Sequence, residues 1–78
     1  MDLKQVLADI ARAIVDTPDA VTVEVTAEEG NEVTLLLKVA EDDTGMVIGR
    51  KGRIAKAIRA LMKAAGTASG KKVTVEIE

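Results

Sequence analysis

The 78-residue chain contains no cysteine, no histidine and no aromatic side chain. Without cysteine and histidine there is no disulfide, no zinc or haem ligand set and no thiol chemistry. The one serine, Ser69, lies in a small-residue stretch with no base to activate it, so it reads as a turn residue rather than a nucleophile. Asp42 and Asp43 could hold a metal in principle, but helix capping explains them with fewer assumptions. Gly45, Gly49 and Gly52 have the wrong spacing for a P-loop or a dinucleotide fingerprint, and no Lys-Ser or Lys-Thr follows them. The sequence therefore points away from an enzyme, with no catalytic residue, no metal site and no cofactor. Met1-Asp2-Leu3-Lys4 lacks the basic-then-apolar pattern of a signal peptide. No apolar run is long enough to span a bilayer. A soluble cytoplasmic protein is expected.

What is present is aliphatic and sharply divided in charge. Apolar residues make up 47% of the chain, ordinary for a folded protein. The net charge of −2 conceals a segregation. Residues 1–49 carry 11 acidic and 3 basic side chains, whereas residues 50–72 carry 8 basic ones and no acid. A polyanion responds to the local basic patch, and the acidic remainder limits non-specific sticking.

Hydrophobic spacing outlines the elements. Leu3, Val6, Leu7, Ile10, Ala11 and Ile14 form a helical stripe, with Asp2 as cap and Gln5 three residues on. Thr17-Pro18 ends it. Residues 20–27 alternate, placing Val21, Val23 and Val25 on one face of a half-buried strand. Gly30-Asn31 marks a turn into a second, more buried strand carrying Val33, Leu35, Leu37 and Val39, which makes an antiparallel hairpin. Glu41-Asp42-Asp43-Thr44 signals a helix start, and Gly49 is expected to interrupt that helix after about two turns. A longer helix is expected from Gly52 to about Ala65, buried along Ile54, Ile58, Leu61, Met62 and Ala65 and terminated by Gly66 in a left-handed conformation. Val73, Val75 and Ile77 define a last strand. The helical crossover before it favours parallel pairing with the second strand. The expected fold is α+β, in the order α-β-β-α-α-β: a three-stranded mixed sheet with three helices on one face, as one domain over residues 1–78.

The chemistry concentrates in Met46-Val47-Ile48-Gly49-Arg50-Lys51-Gly52-Arg53-Ile54. Two glycines three apart enclose two cations at the start of a helix. Glycine lets a sugar-phosphate backbone approach closely, and the first amides of a helix attract phosphate. Lys56, Arg59 and Lys63 continue the charge down one helical face, and no acid interleaves them. An ordinary helix corner with a solvated basic face is the competing interpretation, and the adjacent cations weigh against it.

Val47-Ile48-Gly49-Arg50-Lys51-Gly52 resembles the I-G-x-x-G signature of KH domains. The whole chain resembles the small bacterial single-KH-domain RNA-binding proteins of the KhpA/YlqC family, most closely from Val47 to Ala65 and over Lys72 to Ile77. The resemblance implies a type II KH domain in which the G-x-x-G loop clamps about four nucleotides of single strand. On this chain the phosphate contacts would be Gly49, Arg50, Lys51 and Gly52. Ile48, Arg53, Ile54 and Lys56 would complete the RNA-binding set, with either Ile54 or Ala55 facing the groove. The lack of aromatics excludes the stacking platforms of RRM, cold-shock and OB modules. One short domain should then bind weakly, with strong dependence on salt. Avidity from a second module is expected, either a homodimer or a heterodimer with a larger KH-containing protein of the Jag/KhpB type. The family also implies RNA chaperoning or post-transcriptional control linked to growth and cell shape. A protein-interaction module with weak or vestigial nucleic-acid binding is the alternative. RNA and single-stranded DNA are not distinguished at this level.

Overall fold

The computed structural model describes residues 2–78, and for Arg50 and Lys51 the backbone only. Asp2 caps α1 (Leu3–Ile14), its carboxylate accepting a hydrogen bond from the Gln5 backbone N–H at 3.2 Å. The Gln5 side chain donates to Asp9 one turn on, at 2.8 Å, rather than closing a capping box. A 3-10 turn over Pro18–Ala20 leads into β1 (Thr22–Glu29). The two-residue turn Gly30-Asn31 reverses the chain into β2 (Glu32–Lys38), which pairs antiparallel with β1. After α2 (Glu41–Ala68), β3 (Lys72–Ile77) returns parallel to β2, giving the sheet order β1-β2-β3. A helical crossover is what a parallel pair requires.

The helix α2 is not straight. Its 28 residues would extend about 42 Å as a regular helix, yet the longest dimension of the molecule is 35 Å. The break is at Gly52, whose φ of +68° lies outside the right-handed helical region. It divides α2 into limbs of residues 41–51 and 53–68, so the order is helix, strand, strand, helix, helix, strand. The bend therefore falls three residues after Gly49, where the sequence places it. The second limb also outruns its expected end. Gly66 stays within the helix, and Gly70, with φ +70°, takes the left-handed conformation instead.

Gly66 has a different reason to be glycine. A Cβ there would lie 2.7 Å from Val73 Cγ2 and 2.8 Å from the Lys71 carbonyl oxygen. The Gly66 carbonyl also accepts from the Lys71 N–H at 2.7 Å. The bare position lets the chain double back and begin β3 directly against the helix.

The core lies between the sheet and the helices. Leu35 and Leu37 of β2 meet Leu7 of α1, Val47 of the first limb of α2, and Ile58 and Met62 of the second. Val21 and Val75 close it at the sides. Fully burying each large aliphatic side chain is worth about 1.5–3 kcal/mol, and with no rings available these contacts carry the fold. The edge strand β1 contributes less than its alternation suggests: Val23 is half-buried and Val25 is 44% exposed. Beyond Val25 the register with β2 slips by one residue, which twists this edge. On the uncovered side of the sheet, Glu24, Leu36 and Glu76 stand in register across the three strands, with both carboxylates exposed. Among the described residues no helix is long and apolar enough to cross a membrane.

Candidate nucleic-acid interface

The corner of α2 is held from below. Val47, 1% exposed, anchors the first limb in the core, while its neighbour Ile48 is 46% exposed beside the corner. At the base of that limb the Asp43 carboxylate, only 3% exposed, accepts hydrogen bonds from the backbone N–H groups of Asp16 (3.2 Å) and Thr17 (3.0 Å). Asp43 thus ties the start of α2 to the turn after α1. Its role as a first-turn carboxylate is legible in the sequence; its long-range partners are not.

A Cβ at Gly49 or Gly52 would meet no described atom within 4 Å, so the space above both is open. Gly52 is required twice over. It leaves that space free, and an L side chain at its positive φ would cost about 1–2 kcal/mol. Gly49 has only the first reason. The side chains of Arg50 and Lys51, expected as the principal phosphate contacts, lie outside the described residues.

The second limb has two faces. Arg53, Ile54, Ala57, Ile58 and Leu61 line an apolar depression together with Ile10 and Ile14 of α1. Leu61 is 54% exposed there, although its place in the stripe predicts burial; α1 ends at Ile14 and leaves that flank uncovered. The opposite face carries Ala55, Lys56, Arg59 and Lys63 at helical spacing below Gly52. It adjoins β3, where Arg59 Nε donates to the Val75 carbonyl oxygen at 3.3 Å. Ala55 is buried on this side (5% exposed). The expected site residues therefore do not share one surface. Gly49, Gly52 and Lys56 belong to the corner and the β3 side, whereas Arg53 and Ile54 border the α1 side.

Charge on this limb is uncompensated. Among the described residues the one ion pair is Lys71 with Glu28, at 3.8 Å. Arg53, Lys56, Arg59 and Lys63 have no described acid within ion-pairing distance, and helix faces laced with salt bridges look different. No group of three or more acidic side chains able to hold a metal occurs among the described residues. What the arrangement can do is receive an extended polyanion at the corner and run it between the basic limb and the open edge of β3.

Known proteins share this plan. A family model described as the KhpA/KhpB KH domain matches residues 4–77. A Clostridium acetobutylicum protein named RNA-binding protein KhpA is 54% identical over 96% of this chain and 99% of its own length. Proteins of the same name from Treponema pallidum and Bacillus subtilis are 47% and 44% identical, covering 95% and 96% of this chain and 91% of their own lengths in each case. A crystal structure of Aquifex aeolicus Era superposes on 99% of this chain with a TM-score of 0.62 at 20% identity. This chain spans 31% of that one, and the likeness is one of fold. With the corner, the element order and full-length relatives in agreement, the chain belongs to the KhpA/KhpB family of KH domains.

Proposed function

We propose that this chain is a single KH domain over residues 1–78 that holds short single-stranded RNA, and that it binds rather than catalyses. The observation that carries the reading is the open corner at Gly49 and Gly52 above a basic helical face that has no acid partner among the described residues. The backbone of the strand sits at Gly49, Arg50, Lys51 and Gly52, with Ile48 and Lys56 beside it; Arg53 and Ile54, which border the α1 side, meet it only where it crosses the corner. The relatives named RNA-binding protein KhpA support RNA as the ligand. By analogy with the family, the protein acts in the cytoplasm as an RNA chaperone or post-transcriptional regulator.

The test is a salt titration. With Arg50, Lys51, Arg53 and Lys56 each neutralising one phosphate, log affinity for a short RNA falls against log salt with a slope of about −3, at −0.7 per contact. Fluorescence anisotropy of a labelled oligonucleotide measures it. A flat response would show that the sugar-phosphate backbone is not what is recognised.

A second reading, that the domain serves mainly to bring proteins together, is favoured by one observation. Ile14 and Leu61 leave an apolar surface 39% and 54% exposed, respectively, on the side away from β3. Both readings meet if this surface docks a second KH domain, of another copy or of a larger Jag/KhpB-type partner, and so supplies avidity. On that proposal the wild-type chain sediments as a dimer alone or with such a partner, and Leu61→Glu sediments as a monomer in both cases. Unchanged association of the variant would place the interface elsewhere.

A further inference from the structure

The edge of β3 has a polarity that Arg59 modifies. Lys72 N–H donates to the Asn31 carbonyl at 2.8 Å and Glu78 N–H to the Leu37 carbonyl at 2.9 Å. Alternate residues along a strand turn to opposite sides, so the even-numbered residues of β3 bond to β2. Val73, Val75 and Ile77 consequently direct both N–H and C=O to the free edge of the sheet. An unmodified edge would offer donors and acceptors alternately. At Val75 the carbonyl already accepts from Arg59 Nε at 3.3 Å, which brings the other guanidinium donors to that point of the edge.

That bond also orients the arginine. A guanidinium is a planar fork with five N–H donors and no acceptor. With Nε engaged on Val75, Arg59 remains exposed and no described acid lies within ion-pairing distance of its terminal Nη1 and Nη2 groups. Arg59 lies seven residues beyond Gly52 on the same helical face, about 10 Å along the limb. A strand whose backbone is seated at the corner passes within reach of it.

We propose that Arg59 is a specificity-determining residue whose remaining guanidinium donors face this part of the groove and select guanine there. The proposal rests on the RNA-binding reading above. Guanine presents N7 and O6, two acceptors spaced to receive a guanidinium fork, whereas adenine places an amino group where O6 would be. Facing the donors of the Arg59 fork, that amino group has no partner there.

The experiment compares two labelled RNA hexamers, a uridine tract carrying one central guanosine and the same tract with adenosine, on the full chain at low salt. The expected result for the wild type is tighter binding of the guanosine oligonucleotide by about tenfold, within the range for one bidentate base contact. Arg59→Lys keeps the charge and loses the fork, so it retains adenosine binding and lowers the guanosine preference to within about twofold. Arg59→Met keeps the aliphatic stem and abolishes the preference. If Arg59 only latched the helix to β3, both variants would melt at lower temperature with the guanosine-to-adenosine ratio unchanged, and the proposal would be overturned. Equal wild-type affinity for the two oligonucleotides overturns it as well, while leaving RNA binding intact. Binding of neither oligonucleotide would instead remove the RNA-binding reading, and this proposal with it.

Discussion

Replacing Arg50 and Lys51 together by Asp is expected to weaken binding of a short single-stranded RNA by about a hundredfold or more. Two charge-assisted contacts to phosphate are lost, each worth about 1.5 kcal/mol or more. At 1.4 kcal/mol per decade, that alone gives about two decades. The two new carboxylates add repulsion at the same place. The fold should not suffer, because the flanking glycines face open space and Val47 and Ile58 anchor the two limbs from within the core. Anisotropy titrations paired with a circular dichroism melt separate the two effects. An affinity within about threefold of wild type, less than the loss of even one such contact, would show that the corner is not where RNA sits. Self-association that persists in this variant would separate an interaction module from an RNA binder.

The second large effect concerns stability. Asp43→Ala removes a buried carboxylate that accepts from the backbone N–H groups of Asp16 and Thr17 at 3.2 and 3.0 Å. Leaving two such donors without partners costs about 1–3 kcal/mol each when water cannot reach them. Loss of a first-turn carboxylate at the positive end of α2 adds a few tenths of a kcal/mol, up to about 1. Asp16 and Thr17 are themselves exposed, so water recovers part of the loss, and a fall of about 2–4 kcal/mol in unfolding free energy is expected, a large part of the 5–15 kcal/mol available to small domains. For a chain of this length that lowers the melting temperature by roughly 10–25 °C. Asp43→Asn retains one acceptor and should recover about half of the loss. Urea denaturation of the three proteins measures it. If the Ala protein unfolds within about 0.5 kcal/mol of wild type, like an ordinary surface substitution, the two amides have found water and the carboxylate is not a tie.

What the sequence discloses about this molecule is what repeats locally. Alternation reveals β2 because Val33, Leu35 and Leu37 are buried one after another. The helical stripe reveals α1, and Gly30-Asn31 marks the hairpin. Contacts between distant segments are where local pattern runs out. Gly49 and Gly52 are equally permissive as residues, and only the packing of the two limbs decides that the bend falls at the second. Gly66 reads as a helix terminator until Val73 is seen against it. Leu61 follows the apolar period, but α1 stops too early to cover it. Asp43 shows its place in a first turn and conceals two partners, 26 and 27 residues upstream. For the interface, the glycines and cations are visible as a motif. The separation of Ile54 from the β3 side, and the bond from Arg59 to Val75, emerge only once strand and helix are placed together.

The uncovered side of the sheet, where Glu24, Glu29, Glu32 and Glu76 outnumber Lys38 and Lys72, lies on the far side of the molecule from the basic limb. Such a body behaves as an electric dipole in solution. In the field of a nucleic-acid strand it experiences a torque before it experiences contact, turning the corner forward and the sheet away. Arrivals in the wrong pose are repelled rather than trapped, so a weak binder of this shape can sample many strands quickly without fouling its own back.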